Sequence, residues 1–143
     1  MRALLINKSS LMHNLAEVRK EVGEVKLIGV VKGNGYGLDT LQFARTLLEG
    51  GVGTLATARL EDAVTLREGG IDSEIILLSP VFTPEQAALA VEHRLTCAID
   101  SAGSALLLNT AGKEQNLRVW VHLKIDTGFG RYGFHPDCAD EVK

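Results

Sequence analysis

An α/β fold built from parallel strand–helix units is what this sequence predicts, and three observations carry the prediction. Short apolar runs recur along the chain, beginning at residues 26, 53, 74, 95 and 117. Amphipathic stretches separate them. Most of those stretches end in paired glycines or open on a capping residue. Strands alternating with helices at so short a period form βαβ units around a parallel sheet.

The elements follow in order. Ser9 to Val22 reads as an opening helix with Leu11, Leu15 and Val18 on one stripe. The first strand run is Lys26-Leu27-Ile28-Gly29-Val30-Val31-Lys32. A helix over Leu41 to Leu48 places Leu41, Ala44, Leu47 and Leu48 together and stops at Gly50-Gly51. The second run, 53–58, leads into a helix over Leu60 to Glu68 that stops at Gly69-Gly70. The third run, Glu74 to Ser79, precedes a helix opened by Thr83 as N-cap, Pro84 at the first turn and Gln86 closing a capping box. The fourth, Leu95 to Asp100, precedes a helix over Ser101 to Asn109. The fifth, Leu117 to Asp126, alternates, with Val119, Val121, Leu123 and Ile125 on one face, so its other side is exposed or lines a site. Five such units suit either an open doubly wound sheet or the first five-eighths of a (β/α)8 barrel, which needs about 250 residues in full. Periodicity leaves both open.

Composition narrows the function. The 143 residues carry 15 Lys and Arg against 18 Asp and Glu, a net charge of −3. That balance supplies no basic surface for phosphates, so no nucleic-acid partner is expected. Aromatics at 5% give no stacking platform for bases. Hydrophobic residues at 45% and charged residues at 23% describe a globular chain. No apolar run approaches the roughly 20 residues of a membrane span, and the first residues do not make a secretory signal. No membrane partner and a cytoplasmic location are the expectation. Cys97 and Cys138 read as reduced thiols. His13, His93, His122 and His135 are scattered, so no metal is expected.

Chemistry gathers at the carboxyl ends of two strands, where parallel α/β folds place their sites. After the first comes Val30-Val31-Lys32-Gly33-Asn34-Gly35-Tyr36-Gly37. A lysine followed by three glycines in five residues lets backbone approach a ligand. It is neither a phosphate loop, which places the lysine after its glycines, nor a Gly-x-Gly-x-x-Gly turn. After the fifth comes Lys124-Ile125-Asp126-Thr127-Gly128-Phe129-Gly130-Arg131-Tyr132-Gly133-Phe134. Lys124 and Asp126 point the same way along a strand, and Arg131 offers a fork of donors to an anionic oxygen. Taken singly, the first segment reads equally as a surface lysine with a turn, the second as a salt-bridged loop.

Together the two segments resemble the alanine racemase family. The first is similar to that family's Val-Lys-Ala-Asn-Ala-Tyr-Gly-His-Gly, the second to its Lys-x-Asp-Thr-Gly-Met-Gly-Arg-x-Gly-Phe. Ile6-Asn7 and Leu11-x-x-Asn14-Leu15 resemble its opening helix. The resemblance implies a partial TIM barrel of about five strands with pyridoxal 5'-phosphate as cofactor. It implies that Lys32 forms the Schiff base and is one of two proton-exchanging bases. Tyr36 would donate to the cofactor phosphate. Arg131 would lie near the cofactor's phenolic oxygen and the substrate carboxylate. Lys124 matches a lysine that is often carbamylated and holds that arginine. A desolvated lysine amine beside cations is the better nucleophile.

The implied activity is an isomerase interconverting L-alanine and D-alanine for peptidoglycan precursors, with a small amino acid as substrate and a homodimer as the complete protein. Gly33 and Gly35 stand where the family has alanines, and Leu38-Asp39 where it has His-Gly. Residues 1–143 then correspond to the N-terminal part of such a barrel. The later barrel strands, the C-terminal β-domain and its tyrosine base fall outside it, so the chain alone is expected not to racemise. Three other readings are a non-catalytic carrier of pyridoxal phosphate with the same fold, a decarboxylase of the same barrel type, and a small doubly wound interaction module.

Overall fold

A computed structural model describes residues 5–137 of the chain. In order, its elements are α1 (Lys8–Val22), β1 (Ile28–Val30), a single turn α2 (Lys32–Tyr36), α3 (Thr40–Glu49), β2 (Thr54–Thr57), α4 (Leu60–Glu68), β3 (Glu74–Leu77), α5 (Pro84–Glu92), β4 (Thr96–Ile99), α6 (Ala102–Glu114) and β5 (Val121–Leu123). The five strands form one parallel sheet in the order β1-β2-β3-β4-β5. This order decides between the two sheets that periodicity left open. A doubly wound sheet reverses its strand order at a switch point. Here every crossover steps the same way, and right-handed crossovers then put every helix on one face. The sheet is a segment of barrel wall.

The core lies between that wall and its helices. Val31, Leu55, Ile75, Leu77 and Cys97 from the strands pack with Ala44, Ala63, Leu66, Ala87, Ala90, Leu108 and Ala111 from α3 to α6 in one cluster. Alanines on the helices let them approach the sheet closely, while branched residues on the strands fill the layer. The opposite face of the wall carries Ala56, Ile76 and Ala98, all buried. Toward the strands' amino ends, Glu74 accepts from Thr54 Oγ1 at 3.1 Å and from Thr96 Oγ1 at 3.0 Å, tying three strands together.

Caps and stops follow the sequence closely, with instructive exceptions. Thr83 caps α5 by accepting from Gln86 N, but the Gln86 side chain accepts from Phe82 N at 2.8 Å, one residue earlier than a capping box requires. Ser101 and Ser104 do form a reciprocal box at the start of α6. That helix continues to Glu114 instead of ending near Asn109, because Gly112 is a packing residue and not a stop. A Cβ there would meet Val119 at 2.9 Å and the Leu117 carbonyl at 3.0 Å. Asn116, at φ +52°, makes the turn instead.

The fifth run is a much shorter strand than its apolar pattern. Its ladder with β4 reaches from Trp120, whose carbonyl accepts from Cys97 N, to Lys124, whose N–H donates to Ile99 O. Beyond that, Ile125 leaves β4 and bridges to Phe134 in its own loop. Val119 packs against the core, while Val121, Leu123 and Ile125 stay exposed beyond α6. Cys97 is a free, buried thiol whose pKa burial pushes up to about 12, so it is inert at neutral pH. Cys138 lies outside the described residues. No helix among the described residues is long and apolar enough to cross a membrane.

Candidate active site

β1 delivers Lys32 to the rim of the wall. Val31 is fully buried and anchors the strand end; Lys32, the next residue, is exposed. The desolvation expected of this amine is not present here, because β1 is an edge strand of the described sheet. The chain then winds left-handed. Gly33, Asn34, Gly35, Tyr36 and Gly37 all have φ between +54° and +85°. A left-handed turn costs each L-residue about 1–2 kcal/mol, which glycine avoids and asparagine tolerates. Three glycines and one asparagine therefore leave Tyr36 as the residue that bears the strain.

Local bonds hold the turn. Gly35 N donates to Val31 O and Gly37 N to Gly33 O. Asn34 Oδ1 accepts from Thr40 N at 3.3 Å, and Asp39 caps α3 by accepting from Gln42 N at 3.0 Å. The Asp39 that departs from the resembled motif thus has a structural task. The tyrosine ring is exposed at the rim. Glycines signal a tight turn in the sequence, and the structure supplies its left-handed sense.

β5 delivers the second group. Residues 124–134 form a closed loop: Phe134 N donates to Lys124 O at 2.8 Å and Asp126 N to Phe134 O at 2.9 Å. Inside it, the Asp126 carboxylate accepts from Gly128 N at 2.9 Å and from Gly130 N at 2.8 Å. The Gly130 amide first, and the Gly128 amide next, hold this carboxyl below its ordinary range. Asp126 is a lock for the loop, not a free acid.

Gly133, at φ +125°, closes it, since a Cβ there would lie 2.6 Å from Asp126 N. Phe134 is buried at the base. Lys124 and Arg131 line one small cleft of about 100 Å3 with Asp126, Phe129 and Tyr132.

The structure therefore brings Lys124 and Arg131 together and leaves Lys32 and Tyr36 at the far edge strand. Both pairs follow the carboxyl ends of their strands and share a rim. In an eight-stranded wall, strands 1 and 5 stand half a turn apart. With strands about 4.8 Å apart and tilted about 36°, the wall is about 15 Å across.

Sequence reasoning missed two rim groups. Asp100, after β4, accepts from Ser101 Oγ and Ser104 Oγ, both at 3.1 Å. Arg59 follows β2 and pairs with Glu61 at 3.3 Å. Their only signal is being polar at the end of an apolar run. No group of metal-ligating side chains is present among the described residues.

A barrel-wall segment with a lysine and an arginine loop on one rim defines a class: α/β-barrel proteins whose sites lie at the carboxyl ends of the strands. The family described as alanine racemase, N-terminal domain, matches residues 6–143, and the chain belongs to it. Alanine racemase from Desulforamulus reducens is 40% identical over 133 residues, which is 92% of this chain and 36% of that protein. The structure of alanine racemase from Clostridium difficile 630 superposes with a TM-score of 0.88 at 29% identity, covering 94% of this chain and 36% of that one. Histidine racemase from Leuconostoc mesenteroides subsp. sake superposes with a TM-score of 0.82 at 29% identity, over 94% and 36%. The chain thus spans about a third of the length of the relatives it matches.

Proposed function

We propose that these residues form the cofactor-anchoring part of a pyridoxal-phosphate-dependent amino-acid racemase acting on alanine, in the cytoplasm, within a homodimer. The observation that supports the reading is that Lys32 after β1 and the Lys124–Arg131 cleft after β5 both follow the carboxyl ends of strands in one parallel sheet. The donor set fits the cofactor: a primary amine for its aldehyde, a phenol for its phosphate and a guanidinium for its phenolic oxygen. Pyridoxal phosphate, when bound, supplies an aldehyde that takes up an amine and a ring that delocalises the charge left when Cα loses its proton.

The chain's own residues do the rest. Lys32 Nζ holds the cofactor and exchanges the α-proton on one face of the substrate. Tyr36 Oη donates to the phosphate from a turn whose backbone is fixed by Asn34 and Gly35. Arg131 orients the substrate carboxylate. Lys124, half-buried in the same cleft, would hold Arg131 once carbamylated, because the carbamate supplies the negative charge that a guanidinium pairs with. The proton on the opposite face needs a second base, which the resemblance places outside residues 1–143. Alanine is the named substrate of most of the relatives, and histidine that of one.

The test replaces the matching third of the Desulforamulus reducens racemase with these residues and assays D-alanine formation from L-alanine. The chimera turns over with pyridoxal phosphate, its Lys32→Ala form does not, and the 143-residue chain alone stays at the Lys32→Ala level. A Lys32→Ala chimera as active as its parent contradicts the reading.

A further inference from the structure

Two aromatic side chains of the loop that carries Arg131 meet its guanidinium. The Arg131 guanidinium carbon lies 4.9 Å from the centre of the Phe129 ring and 5.9 Å from that of Tyr132. Both fall within the reach of a cation–π contact. Tyr132 in turn meets Phe82, with ring centres 6.1 Å apart and planes inclined by 48°, a normal tilted aromatic pair. Phe82 comes from the β3–α5 connection, fifty positions away, so the contact ties two rim loops together. Among the described residues Arg131 makes no ion pair with a carboxylate.

We propose that Tyr132 is the positioning residue for Arg131, holding its guanidinium with Phe129 while Phe82 braces the tyrosine from the β3–α5 connection. The ring face, and not the hydroxyl, does the holding. This proposal rests on the reading of Arg131 as an anion-binding group.

Each exposed cation–π contact contributes about 0.5–1 kcal/mol. Removing one ring therefore weakens anion binding about two- to five-fold. The first measurement needs no cofactor: the Nε–H resonance of Arg131 in a 15N-labelled chain, with its ring-current shift and order parameter. Tyr132→Leu moves the resonance toward the position of a free arginine, Tyr132→Phe keeps it, and Phe82→Leu shifts it less far than Tyr132→Leu. The second is the affinity for pyridoxal phosphate of the same chains, with Arg131→Ala as the limit. Tyr132→Leu weakens binding two- to five-fold and Tyr132→Phe stays within 1.5-fold.

If Tyr132→Leu leaves the resonance in place, or leaves the affinity at the wild-type value while Arg131→Ala weakens it, the positioning role is overturned and the reading of Arg131 stands. If Arg131→Ala binds as well as the wild type, the reading of Arg131 itself falls and takes the positioning role with it. Phe82 lies outside the loop and is exposed, so Phe82→Leu keeps the test open should Tyr132→Leu fail to fold.

Discussion

Replacing Gly133 by alanine should open the Arg131 loop while leaving the rest of the chain folded. The backbone at Gly133 has φ +125°, a region that L-residues occupy only at about 1–3 kcal/mol. Space is also lacking: the added methyl would sit 2.6 Å from Asp126 N, 2.9 Å from the Ile125 carbonyl carbon and 3.0 Å from the Lys124 oxygen. All three are backbone atoms, so no side chain can swing aside. Relief requires separating Phe134 from residues 124–126, which breaks the two hydrogen bonds between them. Each is worth about 0.5–1.5 kcal/mol net. The two bonds set what opening costs in either protein, so the change on substitution is the strain and close approach in the closed loop, about 2–3 kcal/mol. That corresponds to a 30- to 150-fold rise in its opening.

Hydrogen exchange at the Asp126 and Phe134 amides reads this directly. Amides of β2 and β3 act as the internal control, because opening here is local and not global. Protection at Asp126 and Phe134 within threefold of the wild type would refute the close-approach argument. Gly130→Ala makes a useful contrast: φ there is +72° with nothing near its Cβ, so only about 1 kcal/mol is expected.

Three further outcomes are expected. Arg67→Met should lower stability by about 2–3 kcal/mol, because its guanidinium donates to the carbonyls of Ile71, Ser73, His93 and Arg94 and stitches two loops together. For a chain of this size that lowers Tm by about 6–10 °C in a circular dichroism melt, and a shift under 2 °C would contradict it. Gly33→Ala should destabilise by about 1 kcal/mol although nothing lies near its Cβ, since φ +62° outweighs the gain from a stiffer unfolded chain; denaturant midpoints that rise instead would contradict the left-handed turn. Asp126 has its folded pKa lowered, so its share of loop stability is present above its unfolded value near 3.9 and is lost as pH falls through the folded value. Amide protection at Gly128 and Gly130 should therefore fade below about pH 4, and Asp126→Asn should remove that pH dependence.

Particular residues show how much of this was readable beforehand. Apolar runs and glycine stops located the five strands and every helix core except the single turn α2, because burial on both sides of a parallel sheet leaves continuous apolar runs. Ends were less legible. Gly112 looks like any helix stop in one dimension, and only its contact with Val119 reveals a packing glycine. The fifth run was overestimated because alternation reports which side chains share a face, while ladder length depends on which backbone is beside it. The strand order, and so the barrel wall, is a long-range property that a period cannot encode.

At the site, both loops stood out because charged groups and glycines are rare together at strand ends. The two-motif resemblance gave them candidate roles. The left-handed sense of the first loop was hidden, since glycine permits either hand. The aromatic support around Arg131 was hidden too, since Phe82 is fifty residues from its partner.

The central claim is that Lys32 is the attachment point for pyridoxal phosphate. The most direct test incubates the chain with the cofactor, reduces with borohydride and maps the labelled peptides. A single labelled peptide containing Lys32 is expected, lost in Lys32→Ala and undiminished in Lys124→Gln. Label spread evenly over the exposed lysines, or absent from Lys32 while another lysine carries it, would contradict the account.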